Sequence, residues 1–441
     1  MSYSQRRKAE KSDKEDVISG LPRNIIDSIL DGMPVRDAAR TSILSTKWRY
    51  TWKSHTNLVL DKQFYDDKFK TSNMLAATRR SYKFVCLINE ILQLRRGPIL
   101  KFSLYIPILH YPNQRRCIDN CIVLLSWNGI KQLTLENEDD VPYELPPHLF
   151  SCLKLTHLRL CYCVFKSPRP TVVFGHLISL YLNRIIFSDN RPFGKVVVSA
   201  PLLQFLALET CNGIGNVNMQ TPKLEVLHVL DSLEVESICL KRIPNLTVIR
   251  IELCKELESR LGLGSIDMTN IFGDLPKIQK LTFDAFFVKF LAAGMVLRRF
   301  PIMFNQLKHI QLHNLGFNDV DQISCLLCFI RSSPNLQILE ILRGVAVTVK
   351  TDDLGLVFDY LTAPDCMDKT LDQLRTVRIG LSKNLSGELL FIKLLLARSP
   401  SLEKMIIEVT GKLDANDKFK ITRELMCFSR ASSRAEMMWV D

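Results

Sequence analysis

One pattern recurs through most of this 441-residue chain and limits the folds that are open to it. The pattern is an apolar residue, two residues of any kind, a second apolar residue, one residue of any kind and a third apolar residue. Because the second and third apolar residues lie two apart, they face the same side of an extended strand. The pattern therefore predicts a series of short strands, each buried on one side. Its first apolar position falls, at steps of 21 to 38 residues, at Ile99, Ile130, Leu155, Leu177, Leu203, Leu224, Leu246, Ile278, Leu307, Leu336, Leu374 and Leu402.

Prolines support this interpretation, because six of them stand two residues before a first apolar position. A proline ends the preceding helix or loop and directs the chain into an extended segment. Most of the steps are close to the period of leucine-rich repeats, about 20–29 residues. One such repeat cannot bury its apolar side alone, whereas stacked repeats can. We therefore expect an α/β fold: an irregular solenoid with a parallel sheet on one side and helices or loops outside. The six prolines are Pro201, Pro222, Pro244, Pro276, Pro334 and Pro400.

The residues between and after the inward pairs point to the opposite face of the predicted sheet. They are basic, acidic, aromatic and neutral in turn, and such a mixture suits recognition of a protein better than binding of a uniformly anionic ligand. We predict that this face binds a target protein through Arg159, Tyr181, His228, Arg250, Gln311, Glu340 and Arg378.

Residues 16–61 follow a different, helical pattern. A first helix begins at the Leu-Pro pair 21–22 and carries a wide apolar stripe, and a second helix follows in "VRDAARTSIL". Ser45 or Thr46 can cap a third helix, on which Trp48 and Trp52 lie four apart on one face. Three helices in roughly forty residues supply a marginal core. This segment is therefore expected to complete its burial against something else.

The same residues carry a family resemblance. "DVISGLPRNIIDSILDGMPVRDAARTSILSTKWRYTWKSHTNLVLD" resembles the F-box of plant F-box/leucine-rich-repeat proteins. The stretch "LRTVRIGLSKNLSGELLFIKLLLARSPSLEKMIIEV" is similar to the FBD module of such chains. On this basis we divide the chain into a disordered tail (1–15), an F-box (16–61), a helical connector (62–98), irregular leucine-rich repeats (99–365) and an FBD-like module that continues the repeat sheet (366–441).

The resemblance implies that the F-box docks on the Skp adaptor of a cullin–RING (SCF) ubiquitin ligase, while the repeats hold an unknown substrate protein. The chain would then be a non-catalytic adaptor without a cofactor. Two alternatives remain open: a ligand-dependent receptor of the same layout, and a repeat scaffold outside any ligase. By matching motif positions, the Skp-binding residues are Leu21, Pro22, Ile25, Ile29, Leu30, Met33, Pro34, Arg40, Leu44, Ser45 and Trp48.

Composition excludes several other classes of function. The net charge is +12, but Lys and Arg are scattered rather than gathered in a stripe, so we expect no nucleic-acid partner. No stretch of eighteen apolar residues runs without a charge, and the N-terminal residues lack the apolar region of a secretory signal. Thirteen cysteines without an export signal fit a reducing compartment, and we expect the protein in the nucleus, the cytoplasm or both.

Motifs of metal binding and catalysis are weak or missing. Cys325 and Cys328 have zinc-ligand spacing, but they lie in an apolar run without a second pair, which favours a core position. His309 and His313 lie in a predicted strand, about 13 Å apart, too far to share a metal. The sequence shows no phosphate-binding glycine loop, no G-x-S-x-G elbow and no H-E-x-x-H helix. We therefore expect neither a metal site nor an active site.

Overall fold

The computed structural model divides into two compact units, residues 1–140 and residues 141–441. The predicted tail, residues 1–15, lies outside the residues that the structure describes. Those residues are 20–46, 48–69, 77–166, 174–187, 200–218, 221–232, 235–240, 243–253, 271–273, 275–292, 300, 302–343, 354–363, 366–367, 369–381, 386–409 and 415–440.

The first unit combines helices with three parallel strands in the order β1-β2-β3. Helices α4 and α5 are amphipathic, and they bury their apolar faces in the interior of the unit. Its elements are α1 (Arg23–Asp31), α2 (Val35–Arg40), 3₁₀ turns at Thr41–Ile43 and Trp48–Ser54, β1 (Asn57–Leu60), α3 (Lys62–Phe69), α4 (Ala77–Gln93), β2 (Lys101–Ile106), α5 (Pro112–Trp127) and β3 (Gln132–Asn137).

The second unit is built on a long parallel sheet, as a solenoid of stacked repeats requires. The strands of this sheet are β5 (His157–Cys161), β7 (Ser179–Asn183), β9 (Phe205–Glu209), β11 (Val226–Leu230), β13 (Val248–Glu252), β14 (Lys280–Asp284), β15 (His309–His313), β16 (Ile338–Leu342), β17 (Thr376–Leu381), β18 (Lys404–Val409) and β19 (Glu436–Val440), in that order.

Smaller sheets and helices lie between these strands. Three short strands form one parallel sheet, β4 (Tyr143–Glu144), β6 (Cys163–Phe165) and β8 (Ile186–Phe187), and β10 (Gly215–Asn218) pairs with β12 (Val235–Cys239). The described helical elements of this unit are a 3₁₀ turn at Pro147–Ser151, α6 (Ala285–Ala292), α7 (Val320–Arg331), α8 (Leu354–Thr362), α9 (Ser386–Arg398) and α10 (Ala415–Met426).

All twelve predicted strands are confirmed. Each begins two residues after the first apolar position of its repeat, as with Leu155 and β5 or Leu402 and β18. The three apolar residues of each repeat are buried, and the residues between them are partly or fully exposed in most strands. The inward pairs thus form the core of the sheet, while the other face stays open to solvent.

Aromatic residues fill the interior of the second unit. Phe283 of β14 contacts Phe287 of α6 and Phe329 of α7, with ring centroids 4.9 Å and 5.6 Å away. Phe300 and Phe304 also contact Phe329, and all five side chains are buried. Rings of this size remove a large apolar area from water, so this cluster ties the helices to the inner face of the sheet.

Several strands of this sheet are followed by a residue with a positive φ angle, in the left-handed region of backbone conformation. Thr210 and Asp231 have φ angles of 51° and 43°, and each donates its backbone N–H to a carbonyl of the next strand in the sheet. Tyr162, Arg184 and Asn314 occupy the same position after β5, β7 and β15. This conformation is costly for residues other than glycine and asparagine, so it indicates that the turn geometry is imposed by the sheet.

The structure corrects two details of the helical segment. The predicted third helix is a 3₁₀ helix, Trp48–Ser54, and the Ser45 hydroxyl accepts the Trp48 N–H at 3.4 Å, as expected of a capping residue. In addition, β1 lies inside the segment and pairs with β2, so the parallel strands begin before the first repeat predicted from Ile99.

Candidate protein-binding surfaces

The helical segment of the first unit has a small core of its own. Ile26, Leu30, Ala38 and Trp48 are buried together, and Leu21, Met33 and Trp52 pack against them partly exposed. Leu30 is 0% exposed and Trp48 is 2% exposed, so both are removed from the predicted contact surface. Their apolar character is explained by the interior of the segment itself.

Other apolar residues of the segment remain in water. We call Pro22, Ile25, Ile29, Ile43 and Leu44 the exposed apolar set, since each of them is exposed to solvent, Ile29 least at 37%. Ile43 and Leu44 are 86% and 56% exposed. Ile43 was not predicted; the 3₁₀ turn Thr41–Ile43 turns both it and the following leucine outward, which a helical pattern does not show.

The remaining members of the predicted Skp-binding surface also divide into accessible residues and residues with a structural role. Arg40 is exposed and forms an ion pair with Asp37 at 3.1 Å, whereas Ser45 is half-buried and its hydroxyl caps the 3₁₀ helix. Pro34 is exposed at the start of α2. Arg40 and Pro34 are therefore accessible to a partner, while Ser45 has a structural role already.

Hydrogen bonds hold this segment together and connect it to the rest of the first unit. His55 Nε2 lies 3.1 Å from the carbonyl oxygen of Met33, and the Asp31 carboxylate accepts the Thr56 N–H and hydroxyl. After α4, Arg95 donates to the carbonyl of Trp52 at 3.1 Å, and burial lowers the pKa of Arg95 to about 10. The exposed apolar set is thus carried on a segment that is hydrogen-bonded internally and to Arg95.

The second candidate surface is the open face of the sheet in the second unit. The register pairs the middle residue of each strand with the middle residue of the next, and we call these residues the middle row. All seven predicted face residues lie in it, with Ala207 and Thr282 filling the two positions that were not predicted. From β5 to β17 the middle row is Arg159, Tyr181, Ala207, His228, Arg250, Thr282, Gln311, Glu340 and Arg378.

Three charged residues of the middle row, Arg250, Glu340 and Arg378, are paired with side chains of the same strand or of a nearby strand. Glu252 accepts from Arg250 at 2.8 Å and from His313 at 2.9 Å. Burial alone would raise the pKa of Glu252, but these two hydrogen bonds lower it to about 2. Similarly, Glu340 lies 2.8 Å from His309. Arg250 and Glu252 lie on the same strand, but the two histidine pairs were not predicted, because they depend on the cross-strand register between repeats of unequal length.

Arg378, at the C-terminal end of the middle row, is also paired with a carboxylate. Its guanidinium is paired with Glu408 of β18, and its Nε–Oε1 distance is 2.7 Å. The hydrogen bond to Glu408 raises the pKa of Arg378.

A different arrangement occurs at β5 and β7. The Arg159 guanidinium carbon lies 4.2 Å above the ring of Tyr181, and that of Arg184 lies 4.1 Å above the ring of Tyr162. Tyr181 in turn donates to Glu209, and its pKa is raised by burial and by this hydrogen bond. Tyr162 and Arg184 were not predicted, because they follow the strands in left-handed turns.

Other candidate sites are not supported by the described residues. Cys325 and Cys328 are buried on α7, as predicted, and His309 and His313 lie in β15 with separate carboxylate partners. Among the described residues no three His, Cys, Asp or Glu side chains are grouped as around a metal ion. No helix within the described ranges could span a membrane.

One cavity lies away from the open face. It has a volume of about 490 Å³ and is formed by the turns before β17, β18 and β19, with Asp372, Arg375, Glu403 and Arg434 in its wall. The open face itself is lined by the side chains of the strands.

Comparisons with known proteins match both the helical segment and the repeats. Residues 18–60 match the F-box domain, and residues 118–341 match the LRR repeats of FBD-associated F-box protein At5g56370. The F-box/FBD/LRR-repeat protein At1g13570 of Arabidopsis thaliana is 32% identical over 97% of this chain and 99% of its own length. The chain belongs to the F-box/FBD/LRR-repeat family.

Further relatives of this family are more distant. The putative F-box/FBD/LRR-repeat protein At4g13965 of Arabidopsis thaliana is 24% identical, over 80% of this chain and 81% of its own length. Among solved structures, the TLR13–ssRNA13 complex is similar at 12% identity with a TM-score of 0.28, covering 78% of this chain and 56% of that one. A likeness this distant supports no conclusion.

The matched residue ranges show which domain contains each surface. The exposed apolar set lies in the F-box, since the match at 18–60 contains α1, α2, both 3₁₀ turns and β1. The middle row lies in the leucine-rich repeats as far as Glu340, and Arg378 follows the matched repeats on β17. The protein is thus an F-box protein with a repeat sheet, as predicted.

Proposed function

We propose that this protein is the substrate-recognition subunit of an SCF-type E3 ubiquitin ligase. In this proposal the F-box docks on a Skp adaptor and through it on a cullin, while the open face of the repeats binds a target protein. Family membership and the F-box match support it, because F-box domains generally bind Skp1 within SCF complexes. The chain itself acts as an adaptor and carries out no catalysis.

The observation that carries the proposal is the exposed apolar set of the F-box. Ile25 and Ile29 lie one turn apart on α1, and Ile43 and Leu44 are adjacent on the following 3₁₀ turn. Each large aliphatic side chain gains about 1.5–3 kcal/mol when it is fully buried. Apolar groups of this kind, left in water beside a complete internal core, are typical of a surface that a partner covers.

The mixed polar row on the repeats supports the second half of the proposal. Apart from the buried Ala207 and Thr282, its side chains are partly or fully exposed and alternate with buried residues, so they are available for recognition without disturbing the core. The cysteines support a reducing compartment such as the nucleus or cytosol, since eleven of them are free thiols.

A binding experiment with the full-length chain tests the docking step. The double variant Ile29→Glu, Leu44→Glu places two charges where the adaptor would bury apolar side chains. We expect at least a tenfold loss of affinity for a purified Skp adaptor, about 1.4 kcal/mol, by isothermal titration calorimetry.

Leu153→Glu provides the matched control, because Leu153 is 66% exposed and lies in the second unit. This variant should bind the adaptor as the wild type does. Thermal unfolding within a few degrees of the wild type shows that each variant is folded. If the wild-type chain did not bind the adaptor, or if the double variant bound it with unchanged affinity, the proposal would be wrong.

A further inference from the structure

The first residues of the strands form a second row on the open face of the second unit. In this row Phe205, Val226 and Val248 are neighbours, because the register pairs the first residues of β9, β11 and β13. We call these three residues the apolar patch, and each of their side chains is partly exposed. By contrast, β5, β7, β14 and β15 begin with polar or charged residues. The open face thus carries a local apolar surface within a polar surrounding.

A histidine of the middle row adjoins the apolar patch. The ring of Phe205 packs edge-on against the ring of His228, with the two centroids 5.6 Å apart. Burial, and after it the charge of Arg250, lower the pKa of His228, so its imidazole is neutral at pH 7. The imidazole ring therefore enlarges the uncharged surface beside the patch.

The row continues beyond the patch with a cation, Lys280 of β14, which is paired in register with the last residue of the patch. Nearby charges have partners within the chain: Arg250 lies beside Glu252, and His309 beside Glu340. None of the residues that the structure describes forms an ion pair or a hydrogen bond with the ammonium group of Lys280. A lysine stem of this kind packs on apolar surface while its charge stays in water. The end of the patch is therefore suited to a carboxylate from outside the chain.

The dimensions of this surface fit a narrow ligand. Neighbouring strands are about 4.8 Å apart, so roughly 14 Å separates Phe205 from Lys280 along the row. An extended peptide covers this distance in four residues of about 3.4 Å each, with alternate side chains on the same side. A helix, about 10 Å across, would also cover the ion pair of Arg250 and Glu252, which begins two residues further along β13, about 6.6 Å away. An extended segment leaves that pair in water.

We infer that the apolar patch and Lys280 bind an extended segment of the target protein that has two large aliphatic residues two positions apart and an acidic residue two positions further on. This inference rests on the proposed function, because it names the class of target that the repeat face takes. The aliphatic side chains leave water on the apolar patch, and the carboxylate pairs with the ammonium group of Lys280. Because the segment crosses the strands, side chains and not backbone pairing determine its recognition.

Fluorescence anisotropy with the full-length protein tests the inference. Two labelled probes contain Leu-Ser-Leu-Ser-Glu and Glu-Ser-Leu-Ser-Leu between Gly-Ser flanks, so that both chain directions are covered. We expect at least one probe to bind. The same peptide with Gln in place of Glu should bind about fivefold more weakly, and the peptide with Asn in place of both Leu at least about tenfold more weakly.

Charge reversal separates a specific contact from general attraction. Lys280→Glu should weaken binding of the probe about tenfold and should prefer a peptide with Lys in place of Glu, since opposite charges attract. Lys404→Glu is the matched control, because Lys404 is exposed and begins β18, four strands further along the same row. At about 0.1 M salt, where charges are screened over about 10 Å, this control should change the affinity by less than about twofold.

A second pair of variants tests the apolar patch. Val226→Thr combined with Val248→Thr keeps two β-branched side chains of similar size but makes them polar, and it should weaken binding of the probe about tenfold. Ile338→Thr is its control, because Ile338 is partly exposed at the same position of β16, and it should leave the affinity within about twofold. Thermal unfolding within a few degrees of the wild type shows that each variant is folded.

Three results would overturn the inference: no binding of either probe, equal losses in Lys280→Glu and Lys404→Glu, or a dimer of the wild type that excludes the probes and that the two threonine substitutions abolish. In the last case the apolar patch would be an interface between two copies of the chain. Skp-adaptor affinity, measured on the same samples, separates the two hypotheses. If the wild type binds the adaptor but neither probe, the proposed function stands and only this inference is lost. If it binds a probe but not the adaptor, the ligase proposal fails while the peptide site stands.

Discussion

Asp284 shows how the position of a single residue changes its chemistry. It ends β14, is buried, and accepts the Phe287 N–H at 2.9 Å at the start of α6. Burial, the largest effect, raises the pKa of this carboxyl from 3.8 to about 7, although hydrogen bonds from backbone N–H groups lower it. A buried carboxylate is costly because protein replaces the water that would solvate its charge.

Substitution of this residue should change the pH dependence of stability. The folded-state pKa is about 7 and the unfolded value is 3.8, so the folded protein holds this proton more tightly. Stability from this group is therefore greatest below pH 4 and is lost as the pH rises to about 7, by up to about 1.4 kcal/mol per pH unit. Asp284→Asn keeps an acceptor for the Phe287 N–H and removes the titration.

The measurement is urea unfolding of wild type and Asp284→Asn at pH 5 and pH 8. From pH 5 to pH 8, the free energy of unfolding of the variant should increase relative to that of the wild type by on the order of 2–4 kcal/mol. Histidines such as His228 and His309, whose pKa values burial lowers, titrate equally in both proteins and cancel in this comparison. An equal difference between variant and wild type at the two pH values would show that Asp284 does not titrate in this range.

At the scale of secondary-structure elements, the sequence predicted each repeat strand but neither end of the series. The strand β1 lacks the pattern because His55 takes its first apolar position, where it is buried and hydrogen-bonded to the Met33 carbonyl. The strand β19 lacks it because Arg434 stands at that position. A search for apolar residues misses His55, a polar side chain that is buried with a hydrogen-bond partner, and it misses β19, where the exposed Arg434 takes the position.

The two surfaces were also predicted only as far as local sequence patterns reach. Period-two alternation is local, so it identified seven of the nine residues of the middle row. Contacts such as Glu252–His313 and Arg184–Tyr162 depend on which residues of different repeats face each other. The spacing between repeats varies, and the sequence alone does not show how the intervening loops compensate for it. For the F-box, the apolar stripe was evident but its division between core and surface was not.

The left-handed turns provide a test at this scale. Thr210 is β-branched and has a φ of 51°, a conformation in which its side chain crowds the backbone. Asparagine tolerates this region better, so Thr210→Asn should raise the free energy of unfolding by about 0.5–1 kcal/mol. Urea unfolding monitored by circular dichroism measures the change.

The reverse substitution is the control for this prediction. Asn314 has a φ of 58° after β15, and Asn314→Thr should lower stability by a similar or larger amount. If Thr210→Asn were neutral or destabilising while Asn314→Thr was harmless, the backbone conformation would not be the cause.

At the scale of the whole molecule, the two candidate surfaces belong to different compact units. The F-box and its exposed apolar set lie in residues 1–140, and the middle row lies in residues 141–441. The predicted FBD-like module, from residue 366, has no separate sheet: β17 pairs with β16, and β18 and β19 extend the same sheet. Its stability therefore depends on the repeats, and theirs on it.

Truncation tests this dependence. A chain that ends at residue 363 loses β17 to β19 and the hydrogen bond between Arg331 and the Cys366 carbonyl, and it leaves β16 as an unprotected edge. Exposed sheet edges with apolar neighbours promote association. We expect this chain to aggregate on size-exclusion chromatography, whereas a chain that lacks only β19 stays monodisperse. A monodisperse chain ending at 363 would show that the FBD-like module is an independent domain.

The alternation of buried and open residues along each strand has a practical consequence. Residues such as His228 and Gln311 can be exchanged without changing their buried neighbours, because the two sets face opposite sides of the sheet. A combinatorial library that randomises the middle row, except for the buried Ala207 and Thr282, should therefore yield mostly folded proteins with new binding preferences. In such a protein, target choice can diversify quickly while the scaffold is conserved.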